Sequence, residues 1–321
     1  MTRLVFMGTA DLAAEVLRSL CRQPDLQILA VVSQPDKPKG RDLKTAPTSV
    51  KTVALEHSLA VLQPARAREP QFIEQLRGFA PDLIVVAAYG QILPQALLDI
   101  PRHGCLNVHT SLLPRHRGAA PIQWAIMEGD AVTGVTIMKM EAGLDTGAML
   151  ATVTTAIADE DNAQTLHDRL AVLGAELLVK TIPDCVAGQI IPQSQPAEGV
   201  TYARKISKED GALDWSQPAR PLWNRIRAFT PWPGAFTFLP GEARPMLVKI
   251  WRAEVDSAHS GQPGEILIAD RQGVVVACGN HSLRVHELQR EGGRRLAAQE
   301  FLSGHPLRPG QRFVASPAST A

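Results

Sequence analysis

Cysteine is scarce in this sequence: Cys21, Cys105, Cys185 and Cys278 are the four in 321 residues, far apart and with neither a C-x-x-C pair nor histidines at metal-ligand spacing. A disulfide framework and the common structural zinc modules are thereby excluded, and the thiols read as small buried hydrophobes. Long apolar runs are also missing, since none approaches the roughly 18 residues that a membrane span needs. The N-terminal Leu4-Val5-Phe6-Met7 meets a Gly-Thr-Ala-Asp turn before a signal-peptide core can form, so a cytoplasmic protein is expected. Gly8-Thr9-Ala10-Asp11 lacks the G-x-G-x-x-G spacing, which argues against a nicotinamide-dependent hydride-transfer enzyme.

What remains is the composition of an ordinary globular protein, 45% hydrophobic and 20% charged. A chain of 321 residues is long for one hydrophobic core, so two domains are expected. The net charge of +1 conceals an asymmetry: 17 basic against 21 acidic residues through position 200, and 16 against 11 beyond it. A basic C-terminal third suits a polyanionic partner, and it equally suits a scatter of solvated arginines.

Apolar runs and amphipathic segments alternate along the first half. Strands are predicted at 4–8, 28–32, 60–62, 83–89, 105–109 and 134–140, and helices at 12–20, 48–58, 69–79, 120–128 and 162–180. Asp11 is placed to cap the first helix. The alternation predicts an α/β fold: an open, mostly parallel sheet with helices on both faces, binding its ligand beyond the carboxyl ends of the strands. Residues 189–200, with proline and glutamine but little periodicity, read as a linker. Short strand candidates at 247–251, 264–268 and 273–277, separated by Gly, Pro and Asp turns, then predict a small β-barrel.

Asn107 and His109 lie two apart in a strand, so their side chains leave the same face and can converge on one atom. They are equally readable as polar groups that satisfy the strand end. The irregular stretch from Thr110 to Pro121 must cross the top of the sheet and can line a flat ligand site. In Gly143-Leu144-Asp145-Thr146-Gly147, two glycines flank a carboxylate just past another strand, where it can be aimed inward or can simply form the turn.

These residues carry a resemblance. Asn107-Val108-His109, Ser111-Leu112-Leu113-Pro114-Arg115, Arg117-Gly118-Ala119-Ala120-Pro121-Ile122-Gln123 and Gly143-Leu144-Asp145-Thr146-Gly147 resemble the signature of the 10-formyltetrahydrofolate-dependent formyltransferases. Further stretches agree: Gln34-Pro35-Asp36-Lys37-Pro38, Ala88-Tyr89-Gly90, Thr133 to Met138 and Pro231-Trp232-Pro233-Gly234. The resemblance spans nearly the whole chain. It is closest to the branch whose acceptor is methionine on initiator methionyl-tRNA, in translation initiation.

The resemblance implies a Rossmann-like catalytic domain at 1–188, a linker at 189–207 and an OB-like tRNA-binding barrel at 208–316. It makes Asn107, His109 and Asp145 the catalytic residues. Asn107 would offer its amide to the developing oxyanion, His109 would stabilise that charge or move the amine's proton, and Asp145 would orient the imidazole. No metal and no covalent intermediate is required. Ser111, Leu112, Leu113 and Pro114, with Ala88, Tyr89, Gly90 and Ile92, would hold the tetrahydrofolate of the formyl donor. The basic loop with Lys37, Lys39, Arg41 and Lys44 would reach the tRNA acceptor end.

Small β-barrels bind oligonucleotides through basic and aromatic surfaces, and Arg204, Lys205, Arg225, Arg227, Arg294 and Arg295 are candidates for that role. A monomer is expected. The sequence departs from the family's pattern at Ala10, Leu12, His116 and Thr230, and Asp42 beside Arg41 weakens local phosphate attraction. Two alternatives would use the same residues: transfer to a small amine such as a purine precursor or amino sugar, and a nonenzymatic folate- or RNA-binding protein.

Overall fold

The structure is a computed structural model that describes residues 1–39, 44–241 and 245–316. The chain forms two compact units. One comprises Met1–Pro121, Val132–Ala156 and His167–Arg204, and the other comprises Ile122–Ala131, Ile157–Leu166 and Lys205 onward.

In the first unit, a seven-stranded sheet runs in the order Met149–Ala156, Val132–Lys139, Cys105–His109, Leu83–Ala87, Thr2–Gly8, Leu26–Val32, Val61–Leu62. The last five of these pair in parallel, while Val132–Lys139 and Met149–Ala156 are antiparallel additions. Leu4, Val5, Phe6 and Met7 are all fully buried, the consequence of a strand covered on both faces. Each such side chain contributes on the order of 1.5–3 kcal/mol by leaving water. From Thr2–Gly8 the next strands go to one side and Leu83–Ala87 goes to the other. A crevice therefore opens at the carboxyl ends, at the switch point of the sheet.

Two local expectations are corrected here. Ala10, not Asp11, occupies the N-cap of the helix Asp11–Cys21; Asp11 is its first residue, and its carboxylate accepts from Ser49 Oγ. The strand expected at 83–89 stops at Ala87, because Ala88 takes a left-handed φ of 42° that no ladder accommodates. The strand Met149–Ala156 was not expected: this half-buried edge element has adjacent Thr154 and Thr155, which break the apolar–polar alternation that marks a strand.

The second unit is built on an antiparallel sheet in the order Ala235–Leu239, Met246–Asp256, Ser282–Arg290, Gly273–Ala277, Ile266–Asp270. Residues near the C-terminus bridge its two margins: Val314 pairs with Phe238 beside one, and Arg312 with Glu265 beside the other. The sheet is thereby drawn round into the expected barrel-like form. Phe313, between those bridges, is buried and stacks on Trp215 at 6.0 Å, while its backbone N–H donates to Gly264 O at 2.8 Å. The helix Ala219–Ala228 packs Leu222, Trp223 and Ile226 into the same core. Among the described residues no helix is long and apolar enough to cross a membrane.

Phe313→Ala is expected to destabilise the second unit by about 3–5 kcal/mol, through a cavity opened where the sheet margins meet. Denaturant unfolding followed by tryptophan fluorescence reads this directly, and a loss under 1 kcal/mol would contradict the closure.

Candidate active site

Beyond the carboxyl ends of the strands lies a cavity of about 530 Å³. Its walls include Leu12, Val86, the run Ala88 to Leu93, Asn107 to Thr110, Gly118, Ala119, Met138 and Glu141 to Asp145. That volume falls within the range of small-molecule sites.

Asn107 and His109 come from the end of the strand Cys105–His109, two residues apart, and Asp145 from the turn after Val132–Lys139. The structure brings the three together. Asn107 Nδ2 lies 3.5 Å from Asp145 Oδ1, and His109 Nδ1 lies 3.8 Å from Asp145 Oδ2. Neither contact is a tight hydrogen bond, so both polar groups keep capacity for a bound molecule. Asp145 is instead anchored from behind, its Oδ2 accepting from the Gly118 N–H at 2.8 Å.

The second nitrogen of His109 is committed. Nε2 lies 2.9 Å from the carbonyl oxygen of His116, which can only accept, so Nε2 carries a proton. In the neutral ring Nδ1 is then the bare nitrogen, and it is the one that faces Asp145.

The stretch expected to line a folate site is tied to the protein at alternate residues, with Ser111 and Leu113 buried and Leu112 and Pro114 half-buried. Ser111 is fully buried and donates to Arg115 O at 2.6 Å; Thr136 Oγ1 donates to Ser111 O at 2.7 Å and accepts from Leu113 N at 3.2 Å. Leu113 is buried, and Leu112 lies over Gly134. These bonds brace the crossing segment, whose end presents the His116 carbonyl. His116 itself has a left-handed φ of 58°, and its N–H donates to Thr201 Oγ1 at 2.8 Å.

Ala88, Tyr89, Gly90 and Ile92 do line the cavity. Left-handed φ values at Ala88 and Gly90 carry the backbone out of the ladder. Ile92 and Leu144 present exposed apolar side chains there. Burial pushes the Tyr89 hydroxyl up to about 12, so it stays protonated, and no hydrogen-bond partner reaches it among the described residues.

Of the basic loop, Lys37–Lys39 and Lys44–Ala46 form a two-stranded antiparallel hairpin with Lys39 opposite Lys44. Lys37 donates to Gln34 Oε1 at 3.0 Å. Arg41 and Asp42 lie outside the described residues. At the hairpin's base, Lys51 and Gln63 donate to Asp36 at 2.6 and 2.7 Å. Two of the second unit's arginine candidates are turned inward: Arg225 Nε donates to Asp210 O at 2.9 Å, while Arg227 stacks on Trp223 and donates to Ala158 O at 2.8 Å. Arg295 pairs with Glu287 and lies 5.4 Å from the centre of the Trp251 ring.

With this geometry in hand, similarity to known proteins is decisive. Residues 2–182 match the family model described as formyl transferase, and residues 205–306 match its C-terminal domain. A methionyl-tRNA formyltransferase of Citrifermentans bemidjiense is 51% identical over 96% of this chain and 95% of its own length. That of Myxococcus xanthus is 50% identical over 98% of each chain. The chain belongs to the methionyl-tRNA formyltransferase family.

Solved structures with a similar fold include an N-formyltransferase from Helicobacter canadensis, in complex with folinic acid and dTDP-3-aminofucose. Its TM-score is 0.63 at 16% identity, covering 92% of this chain and 100% of that one. HypX from Aquifex aeolicus, in complex with tetrahydrofolic acid, gives 0.60 at 18% identity, with coverage of 98% and 51%.

Sequence reasoning missed the Gly118 N–H, the His116 carbonyl and Gln195, whose Nε2 donates to Asp145 O at 2.7 Å. The first two are backbone groups, which no side-chain pattern announces. Gln195 lies in the stretch read as a linker.

Two outcomes are expected. Gly147 sits where an added Cβ would lie 1.8 Å from Lys139 O, so Gly147→Ala must shift the turn that carries Asp145. It is expected to lower kcat at least about tenfold and to lower the thermal midpoint as well, because the atom it meets is backbone; unaltered kcat would contradict the role given to this turn. Hydrogen bonds from Lys51 and Gln63 hold the Asp36 carboxyl below the usual carboxylate range. A group held low in the folded state adds stability above its unfolded value and loses it as pH falls through the folded one. Asp36→Asn is therefore expected to lower the urea midpoint at pH 7, with a deficit that shrinks below about pH 4. A pH-independent deficit would show that the carboxylate's charge is not what stabilises the hairpin's base.

Proposed function

We propose that this protein transfers the formyl group of 10-formyltetrahydrofolate to the α-amino group of methionine on initiator methionyl-tRNA, with Asn107, His109 and Asp145 as its catalytic residues. The reading is carried by the grouping of those three side chains on the wall of one cavity. Near-full-length similarity to methionyl-tRNA formyltransferases supports the acceptor.

10-Formyltetrahydrofolate supplies the activated formyl carbon; the bond from that carbon to N10 breaks as the bond to the methionine nitrogen forms, and tetrahydrofolate leaves with one proton taken up at N10. The cavity fits such a ligand: backbone from Ala88 to Ile92 lies outside the ladder and can address the edge of a flat ring, and Ile92 and Leu144 offer apolar contact. Ser111 to Pro114 are assigned to the folate together with Ala88, Tyr89, Gly90 and Ile92, half-buried Leu112 and Pro114 being the members of that stretch with surface left to offer.

An amine attacking a formyl carbon builds negative charge on the carbonyl oxygen and positive charge on nitrogen. Asn107 answers the first with an amide N–H that does not titrate, a contribution of order 10²–10³ in rate for a donor of this kind. His109 answers the second at Nδ1, which the bond from Nε2 to His116 leaves as the proton-accepting atom. The 3.8 Å between Nδ1 and Asp145 Oδ2 leaves room for the proton to arrive, after which the carboxylate holds the charged ring in place. All of this uses groups of the chain itself, and no metal has a part in it.

Residues 1–188 are assigned to catalysis, 208–316 to tRNA binding and 189–207 to joining them; the ranges of the two family models support this division. Lys37, Lys39, Arg41 and Lys44 are assigned to the acceptor end of the tRNA, supported by the pairing of Lys39 with Lys44 on one hairpin. The protein is assigned to the cytoplasm, where translation begins, and to a monomeric state that sedimentation reads directly.

The test is formyl transfer from 10-formyltetrahydrofolate to methionine on charged initiator tRNA, beside charged elongator tRNA and an amino-sugar nucleotide. Initiator tRNA is expected to be formylated, with the largest kcat/KM. Asp145→Asn is expected to lower kcat by about 10² or more while donor affinity stays within about threefold. Preference for the amino sugar would overturn the acceptor, and full activity of Asp145→Asn would overturn the mechanism.

A further inference from the structure

Asp145 holds a backbone conformation, φ of 51°, that residues with a side chain seldom adopt, and its turn contains a second constraint at Gly147. Such a conformation persists only where the surroundings impose it. What imposes it here is one side chain from a distant part of the sequence. Gln195 Nε2 donates to Asp145 O at 2.7 Å and to Gly147 O at 2.8 Å, while its Oε1 accepts from Arg117 Nε at 3.0 Å and Nη2 at 2.7 Å.

The orientation of this amide is fixed by chemistry. Carbonyls only accept and a guanidinium only donates, so the nitrogen must face the turn and the oxygen must face Arg117. Both N–H groups and the oxygen are thus used, and the side chain has no remaining freedom.

The bonds close a ring. The residue after Arg117 is Gly118, whose N–H holds Asp145 Oδ2. Asp145 is therefore gripped twice, at its carboxylate through Gly118 and at its backbone through Gln195, and Arg117 ties the two grips together. The Gly118 grip is itself built in: Arg117 and Gly118 pair with Tyr202 and Ala203, and an added Cβ on Gly118 would lie 2.6 Å from Ala203 O. The stretch that reads as a linker in the sequence thus supplies both the strand that seats Gly118 and the amide that sets the turn.

We infer that Gln195 is a positioning residue for formyl transfer, acting solely through Asp145 by fixing the turn that aims its carboxylate at His109. The inference rests on the catalytic assignment above. Gln195 touches none of the three side chains directly; it sets where one of them stands, and Arg117 holds Gln195 in turn.

The test is a double-mutant cycle between Gln195→Ala and Asp145→Asn in single-turnover transfer. Gln195→Ala alone is expected to lower the rate at least about tenfold, with the KM for the formyl donor within about twofold. In the Asp145→Asn background the same change is expected to cost less than about twofold, because a residue that acts only through another adds nothing once the other is disabled. Gln195→Glu, which turns an acceptor toward two carbonyl oxygens, is expected to be at least as impaired as Gln195→Ala.

Equal losses in both backgrounds would mean that Gln195 supports the fold generally, and would overturn the inference. So would full activity of Gln195→Ala. The ratio is taken on whichever amine the unaltered protein formylates, so a wrong acceptor defeats the preceding reading and leaves this comparison standing.

Discussion

The hydrogen bond from His109 Nε2 to the carbonyl oxygen of His116, 2.9 Å long and buried, is the constraint from which the chemistry of the cavity follows. A backbone carbonyl has no proton to give, so the bond decides which imidazole nitrogen is bare. The bare one, Nδ1, faces Asp145. Much of the crossing segment serves to put that carbonyl in place: Thr136 ties it at Ser111 and Leu113, Ser111 ties it at Arg115, and Thr201 holds the N–H of the left-handed His116. Position 116 contributes its backbone carbonyl to His109.

Around that bond the first unit uses its polar groups economically. Two antiparallel strands are added to a parallel sheet, and the turn after one of them brings a carboxylate beside the strand end that bears Asn107 and His109. Asn107, His109 and Asp145 make long contacts with one another, and His109 and Asp145 make short ones with the backbone behind them. That division suits a site in which the working groups must reach a substrate while holding their positions. It also matches electrostatic catalysis, whose donors act best when already oriented before charge develops.

The parallel sheet was legible in the sequence because its strands are continuous apolar runs, as at Leu4 to Met7 and Leu83 to Ala87, and the antiparallel sheet of the second unit because turn residues punctuate its strands. The pairing of Asn107 with His109 was legible from the two-residue period of a strand. Three features were hidden. Met149–Ala156 is half-buried on an edge and carries a weak pattern. Ser111 to Pro114 read as a ligand loop by position, but the alternation of buried Ser111 and Leu113 with half-buried Leu112 and Pro114, and the Thr136 bonds that impose it, depend on a distant strand. Gln195 acts through a hydrogen-bond ring joining residues 50 and 78 positions away, and no local periodicity encodes such a ring.

The central claim is that Nδ1 of His109 is the atom that takes the proton, because Nε2 is already committed. It is tested most directly by the side-chain nitrogen chemical shifts of His109, read by NMR on the isotopically labelled protein with the ring neutral. The neutral ring is expected to show a protonated, pyrrole-type Nε2 and a bare, pyridine-type Nδ1. A neutral ring protonated at Nδ1, with Nε2 bare, would contradict it.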